Sequence, residues 1–308
     1  MREATEFHYR LAGRVRGHRP GSHLGLSLGA GQEFVSHTSL YNRPDPRRLD
    51  LRASLRSLNG DWLVRVNRQR AGVAVHAMVD VSASMSFGPG RTKLQVVGGF
   101  LESLGVSAFR TGDALGMLAF DTDERSDLFV PARVSRGAGS VMAERTAAAA
   151  EGQTAGTVWP KTAAPARPHS AAGSTRSGGG DALERTAARL AGKEGLVFIV
   201  SDFHWPLQPL GRVLDLLAHA YVVPLIVWDQ AEVEPPTKNG FALIHDAETG
   251  VQRTLWLRPR LRNRWRDAVS HRREELNRVF ASRGVRPFYV LGAFNAEAMS
   301  KYFIEGIA

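Results

Sequence analysis

The chain has 308 residues, of which 43% are hydrophobic and 23% are charged, and it contains no cysteine. This composition excludes a wholly disordered chain. The absence of cysteine excludes disulfides, cysteine-ligated zinc, iron–sulfur clusters and thiol nucleophiles. The formal net charge of +10 suits a nucleic acid, an acidic lipid or an acidic protein as partner, and does not choose among them.

The sequence lacks the signals of membrane insertion and of secretion. The longest apolar run, Ala220–Trp228, contains Pro224 and is far shorter than the roughly 18 residues that a membrane-spanning helix needs. The first residues have no apolar core of a signal peptide. We therefore expect a cytoplasmic protein without membrane insertion.

Residues 1–71 are predicted to form a basic, strand-rich N-terminal module. Glycines punctuate this region and helical periodicity is weak, which indicates short strands and turns rather than a large independent core. A strand is predicted over residues 61–67, where Trp62, Val64 and Val66 share one face.

From Gly72 the pattern changes to alternating buried strands and helices. The valine-rich run 73–79 predicts a strand that ends at Asp80. The further elements are predicted as helix 92–110, strands 114–120 and 127–130, helix 181–190, strand 196–200, helix 210–220, strand 221–228, a hairpin over about 241–257, helix 260–283, strand 287–291 and helix 296–303. This alternation predicts an α/β fold with a doubly wound, mostly parallel sheet over residues 72–308.

One stretch inside this domain has a different composition. Residues 152–180 are rich in Ala, Gly, Ser, Thr and Arg, with prolines at positions 160, 165 and 168. Such a composition is typical of a flexible segment rather than of packed structure. We predict a flexible insertion there.

Oxygen-bearing side chains follow two of the predicted strands. Asp80, Ser82 and Ser84 come after the first strand at a spacing of two, which turns three oxygens toward one point. Asp202 follows a later strand, directly after Ser201. Two carboxylates and two hydroxyls suit a hard cation, Mg²⁺ first and Mn²⁺ second. The alternative is that Asp80 caps a helix and the serines are turn residues.

The segment 80–85 (Asp-Val-Ser-Ala-Ser-Met) resembles the metal-ion-dependent adhesion site of von Willebrand factor A domains. Residues 41–56 are similar to the Tyr…Gly-Asp…Arg-x-Ile-Asp-Trp…Ala-Arg signature of the bacterial family called domain of unknown function fifty-eight. Gln32-Glu33-Phe34, the Ser201-Asp202-Phe203 run and the segment 246–250 (Asp-Ala-Glu-Thr-Gly) fit the same family. The motifs stand in the family's order over almost the whole chain.

The resemblance implies a von Willebrand factor A-like fold with Asp80, Ser82, Ser84 and Asp202 as metal-site residues. Members of the family commonly occur with MoxR-type AAA+ ATPases and are thought to act as adaptors in the maturation or activation of client proteins. The MxaS-like branch, found in methanol-dehydrogenase gene clusters, is one candidate placement. The expected partner is a MoxR-type ATPase or its client protein.

This sequence departs from the family pattern at three positions. Gly180 stands where the family has a threonine that completes the metal shell, so Asp181, Ser177 or a water would have to compensate, or the affinity is reduced. Leu51 replaces a tryptophan and Pro44 replaces a glycine in the N-terminal signature.

Two other function classes remain as alternatives. The arginines between residues 258 and 273 could bind nucleic acid, although the solvated face of an amphipathic helix explains them more simply. Asp80 could also be the nucleophile of a metal-dependent phosphatase or phosphotransferase, but Val81 and Ser82 stand where a second catalytic carboxylate is expected. Because no phosphate-binding loop or serine-hydrolase elbow is present either, we expect a binding protein rather than an enzyme.

Overall fold

The computed structural model describes residues 5–11, 19–29, 31–88, 90–155, 179–236, 240–245 and 252–306. The strands are β1 (Pro20–Gly29), β2 (Glu33–Ser39), β3 (Leu63–Ala71), β4 (Ala74–Asp80), β5 (Ala114–Phe120), β6 (Val130–Arg133), β7 (Gly195–Ser201), β8 (Ala220–Trp228), β9 (Gly240–His245), β10 (Gln252–Leu257) and β11 (Phe288–Leu291). The helices are α1 (Leu51–Ser54), α2 (Lys93–Thr111), α3 (Ala138–Ala155), α4 (Gly179–Ala188), α5 (Leu210–Leu216), α6 (Gln230–Val233), α7 (Pro259–Ala281) and α8 (Ala296–Glu305).

The largest sheet has six strands in the order β11-β8-β7-β4-β5-β6. All neighbouring strands in it are parallel except β5 and β6. The chain runs from β4 outward to β5 and β6 and then returns to β7 on the other side of β4, so the direction of connection reverses between β4 and β7. The prediction of an α/β fold with a mostly parallel sheet is confirmed.

Apolar side chains on both faces of this sheet are covered by helices. Val75, Ala77 and Val79 of β4 belong to one core cluster, whereas Met78 belongs to the other, as the two-residue period of a strand requires. The first cluster includes Phe100 of α2, Met142 of α3 and Phe303 of α8. The second includes Leu183 of α4, Val213 of α5 and Phe280 of α7.

Some predicted bounds differ from the observed ones. Residues 126–128 form a 3₁₀ turn and the edge strand begins only at β6, because Arg125 pairs with Asp121 and Asp127 and holds the chain in a turn. Strand β3 reaches Ala71, since it pairs with β1 on one side and β2 on the other. Helix α3 extends into the start of the predicted insertion and ends at Ala155. Residues 156–178 of that insertion lie outside the described residues.

The N-terminal part forms a three-stranded antiparallel sheet in the order β1-β3-β2. Strands β9 and β10 form an antiparallel hairpin. Within the described ranges, no helix combines the length and the hydrophobicity needed to cross a bilayer.

Residues 5–11 lie in the core of the larger domain and not in the three-stranded sheet. The Phe7 side chain is buried and its ring packs 6.2 Å from that of Phe100 and 6.5 Å from that of Phe303, centroid to centroid. The Phe7 amide donates to Ser107 Oγ of α2 at 3.0 Å, and the His8 amide donates to Ser300 Oγ of α8 at 2.9 Å. The segment therefore fastens α2 and α8 together.

Asp113 joins this segment, the small sheet and the large sheet at one buried carboxylate. It accepts from the Tyr9 hydroxyl at 2.5 Å, contacts His23 Nε2 at 2.9 Å, and accepts from Thr111 Oγ1 at 2.7 Å and from the Val73 amide at 2.8 Å. Burial alone would raise the pKa of Asp113, but the hydrogen bonds and the charge of His23 hold this pKa below its ordinary value. Four partners thus stabilise the ionised form.

Replacing Asp113 by asparagine should lower the free energy of unfolding by about 1–3 kcal/mol, because an amide nitrogen would face donors that now reach a carboxylate. Urea unfolding followed by circular dichroism measures this loss. Asp61→Asn, at an exposed position, is the matched control and should leave stability unchanged. Equal stability of the Asp113 variant and the wild type would show that this carboxylate does not hold the parts together.

Candidate functional site

The loop after β4 presents two serine hydroxyls above a buried aspartate. Asp80 is fully buried, and its Oδ1 accepts from the Ser82 amide at 2.9 Å. The next residues form a 3₁₀ turn over Ala83–Ser86, in which Ser82 Oγ and Ser84 Oγ lie 3.2 Å apart. Ser82 and Ser84 are half-buried, while Val81 and Met85 point into the core. The spacing of two therefore separates oxygens from apolar side chains.

The end of β7 completes the arrangement from the neighbouring strand. The Ser201 hydroxyl donates to Asp80 Oδ2 at 2.6 Å, so the two strand ends are joined by a buried hydrogen bond. Asp202 is fully buried, and its carboxylate interacts with Asp80 and with the Ser84 hydroxyl. The structure thus brings together Asp80, Ser82, Ser84 and Asp202. Ligands of open α/β sheets bind at this place, where the strand order reverses.

A strained turn after β7 fixes the direction of Asp202. Phe203 has a φ of 54°, a left-handed conformation that costs a non-glycine residue of order 1–3 kcal/mol. Its amide donates to Ser201 Oγ at 2.9 Å, and its carbonyl accepts from Arg272 Nη2 at 2.6 Å. Arg272 also donates to the Trp205 carbonyl. Helix α7 therefore holds this turn in place.

A buried lysine that the sequence analysis missed lies beside Asp202. Lys93 is the first residue of α2 and is 1% exposed, and its Nζ donates to Asp202 Oδ2 at 2.6 Å and to Glu232 Oε1 at 2.7 Å. The other oxygen of Glu232 accepts from the Asp229 amide at 3.0 Å in a capping box of α6. The sequence signal for Glu232 was this Asp-x-x-Glu pattern directly after a buried strand.

Trp205, also missed, occupies the space beside Gly180. Its indole Nε1 donates to Asp80 Oδ2 at 3.3 Å and to Ser201 Oγ at 3.2 Å. A Cβ on Gly180 would lie 3.0 Å from the Trp205 ring and 3.0 Å from Pro209 Cγ. Asp181 lies half-buried in the first turn of α4, and among the described residues no hydrogen bond joins it to the two carboxylates of the site. The structure therefore places Trp205 against Asp80.

Electrostatics differ sharply between the two aspartates. Burial, and then the negative charge of Asp202, raise the pKa of Asp80 to about 6. Burial also acts to raise the pKa of Asp202, but the Lys93 ammonium, His204 and the hydrogen bond from Ser84 hold it below its ordinary value. Asp202 therefore stays ionised to a lower pH than Asp80 does.

The donor set fits a hard divalent cation. The two serine hydroxyls and the Asp202 carboxylate are oxygen ligands of the kind that Mg²⁺ and Mn²⁺ prefer. The carboxylates of Asp202 and Glu232 contact the ammonium of Lys93, and the carboxylate of Asp80 interacts with that of Asp202. When the three carboxylates and the lysine are all ionised, these four groups have a net charge of −2. One divalent cation would neutralise it.

The arginine-rich helix is partly structural. Arg272 is half-buried and holds the turn after β7, and the Trp265 indole donates to the Glu232 carbonyl at 2.7 Å. In contrast, Arg260, Arg264 and Arg266 are exposed. The helix thus supports the site on one face and presents positive charge to solvent on the other.

Comparison with known proteins shows the family of the chain. The family described as protein of unknown function DUF58 matches residues 43–275. The chain belongs to this family, as the run 41–56 predicted.

Two relatives are similar to this chain in sequence. The uncharacterized protein Rv1480 of Mycobacterium tuberculosis is 29% identical over 271 residues, which are 86% of this chain and 76% of that protein. A Paracoccus denitrificans protein named as lying in the moxR 3' region is 30% identical over 95 residues, which are 31% of this chain and 90% of that protein.

Two solved structures overlap most of the chain at low similarity. The conserved hypothetical protein BatB from Bacteroides thetaiotaomicron has a TM-score of 0.40 and 16% identity, and covers 76% of this chain and 98% of its own. An aerotolerance-related membrane protein from Bacteroides fragilis has the same TM-score and identity over 77% of this chain and 98% of its own. These values carry no functional argument.

Restoring the threonine of the family pattern should destabilise this protein. In Gly180→Thr the new side chain would press on Trp205 and Pro209, and overpacking of a filled core typically costs about 1–3 kcal/mol. Thermal unfolding measures the effect. Gly137→Thr is the matched control, because a Cβ there meets nothing within 4 Å. Unchanged stability of Gly180→Thr would mean that Trp205 moves aside without cost.

Proposed function

We propose that the chain is a divalent-metal-dependent protein-binding adaptor with a von Willebrand factor A-like domain, and that it works with a MoxR-type AAA+ ATPase on a client protein. Ser82, Ser84 and Asp202 would hold Mg²⁺, and Asp80 would support the serine loop from below. The observation that carries this proposal is the meeting of two hydroxyls and two carboxylates where the strand order reverses.

The exposure of the site residues supports binding of a partner's side chain. The serines are half-buried and the aspartates are fully buried, so among these four residues the serines are the ones that solvent reaches. A divalent cation there would have a free position on that side, and an Asp or Glu carboxylate of a partner protein suits it. The net positive charge of the chain also favours an acidic partner.

The association with a MoxR-type ATPase rests on relatives. The Paracoccus denitrificans protein whose name places it in the moxR 3' region is similar to about a third of this chain. We infer that this chain works with an ATPase of the same type. Neither relative's name bears on the MxaS-like branch, which stays a prediction.

An enzymatic function is the second candidate, since the structure does place a lysine near the sheet edge. Lys93, however, is bonded to Asp202 and Glu232. Both oxygens of Asp80 already accept hydrogen bonds, from the Ser82 amide on one side and from Ser201 and Trp205 on the other. A carboxylate held in this way is a poor nucleophile. We therefore favour binding over phosphoryl transfer.

Removing the serine hydroxyls should weaken metal binding at least about tenfold, since even the loss of residues that only support metal ligands costs about 10–100-fold in affinity. We expect Mn²⁺ to bind the wild type at one site, measured by electron paramagnetic resonance of the free ion, and Mg²⁺ to compete. Ser82→Ala/Ser84→Ala should lose this binding. Ser270→Ala, at an exposed position on α7, is the control. Equal affinity of both variants would exclude the serine loop as the metal site.

Partner capture should depend on the same loop. In a pull-down from nuclease-treated source lysate, read by mass spectrometry, the wild type should retain a MoxR-type ATPase or a client in Mg²⁺ but not in EDTA. The serine double variant should retain neither.

Two further outcomes test the alternative functions. Capture that survives EDTA but is lost at high salt and in Arg260→Ser/Arg264→Ser would favour the nucleic-acid or electrostatic alternative. Turnover of a phosphate ester that Asp80→Asn abolishes would favour the enzyme.

A further inference from the structure

Lys93 is unusual for a lysine in two respects. A lysine is almost never fully buried unless it is paired, and a cation at the first position of a helix meets the positive end of the helix dipole. Lys93 is both 1% exposed and the first residue of α2, directly after the Thr92 cap. Such conflicts between local preference and position are concentrated at functional sites.

The ammonium of Lys93 lies inside a group of side chains that would otherwise suit a metal ion. One ligand atom from each of Asp202, His204 and Glu232 lies within 4.8 Å of the others. Lys93 Nζ donates to Asp202 and Glu232 at 2.6 and 2.7 Å, while His204 Nε2 lies 3.8 Å from Glu232 Oε1. The centroid of the Phe87 ring lies 6.0 Å from Nζ.

We propose that Lys93 is a built-in cation that occupies a second cation position next to the serine loop. The cluster would then hold one permanent positive charge from the chain and one exchangeable divalent ion at Ser82, Ser84 and Asp202. Only this second half rests on the proposed function; the role of Lys93 stands on the contacts of the protein itself.

The consequence is that the fold does not need a metal ion. The buried carboxylate of Asp202 and the half-buried carboxylate of Glu232 are neutralised in part by Lys93, so the site persists when the divalent ion leaves. A further consequence is selectivity. The imidazole of His204 with the carboxylates of Asp202 and Glu232 would suit Zn²⁺ or Co²⁺. The ammonium of Lys93 occupies the position that such an ion would take. The site is thereby restricted to a single hard ion.

The test removes the charge and keeps the length of the side chain. Lys93→Met should unfold at a temperature lower by at least about 6 °C in EDTA, since breaking a buried ion pair is strongly destabilising. It should also gain one Co²⁺ ion, detected by visible absorption and equilibrium dialysis, and Co²⁺ should restore much of the lost stability. Lys301→Met, an exposed lysine, is the control and should change neither property.

Second-site variants keep the result interpretable. The gained Co²⁺ site should disappear in Lys93→Met/His204→Ala and persist in Lys93→Met/Ser82→Ala. Lys93→Met/Glu232→Gln, which removes one charge of each sign, should fold even if Lys93→Met alone does not. Where both variants fold, the double variant should unfold at the higher temperature.

Several outcomes would overturn the proposal. The first is that the wild type already binds Co²⁺ in a way that depends on His204. The second is that Lys93→Met is as stable as the control and gains no metal site. The third is that Lys93→Met/Glu232→Gln is no more stable than Lys93→Met. The proposed function fails separately, if the wild type binds no Mn²⁺ at the serines while Lys93→Met still gains its His204-dependent ion.

Discussion

A buried hydrogen bond from the Ser201 hydroxyl to the Asp80 carboxylate joins the two strand ends on which the candidate site depends. A buried carboxylate oxygen without a partner is costly, so β4 and β7 must stay in register for Asp80 to be satisfied. The Ser82 amide on one oxygen and the Trp205 indole on the other then orient the serine loop and the turn after β7. The serine loop and the turn after β7 are thus both held by hydrogen bonds to the Asp80 side chain.

The site contains features that are locally unfavourable in free energy, and contacts from the surrounding structure stabilise them. It contains a left-handed Phe203, a lysine at the positive end of a helix and buried carboxylates. Each is held by contacts from a different element: Arg272 of α7 fixes the turn, Glu232 of α6 pairs with the lysine, and Trp205 fills the space beside Gly180. Among the described residues, those in locally unfavourable conformations or environments are concentrated at this site, as is usual for a functional site.

The structural links between the parts of the chain lie away from this site. Phe7 is surrounded by aromatic rings between α2 and α8, and Asp113 connects residues 5–11, β1 and the large sheet. The candidate site stands at the opposite, carboxyl end of the same strands. Variants that loosen the N-terminal part and variants that alter metal binding therefore probe separate properties.

The sequence by itself determined the α/β class, the ends of β4 and β7, and the group Asp80, Ser82, Ser84 and Asp202, because hydrophobic period and turn residues are local properties. It also pointed to the family through the run 41–56. It did not reveal Lys93, Trp205 or Glu232. Lys93 is 109 residues from Asp202 and 139 from Glu232, and Trp205 is 125 residues from Asp80. Their roles arise only when parallel strands bring distant loops to one edge, since no local pattern distinguishes a buried, paired lysine from a solvated one.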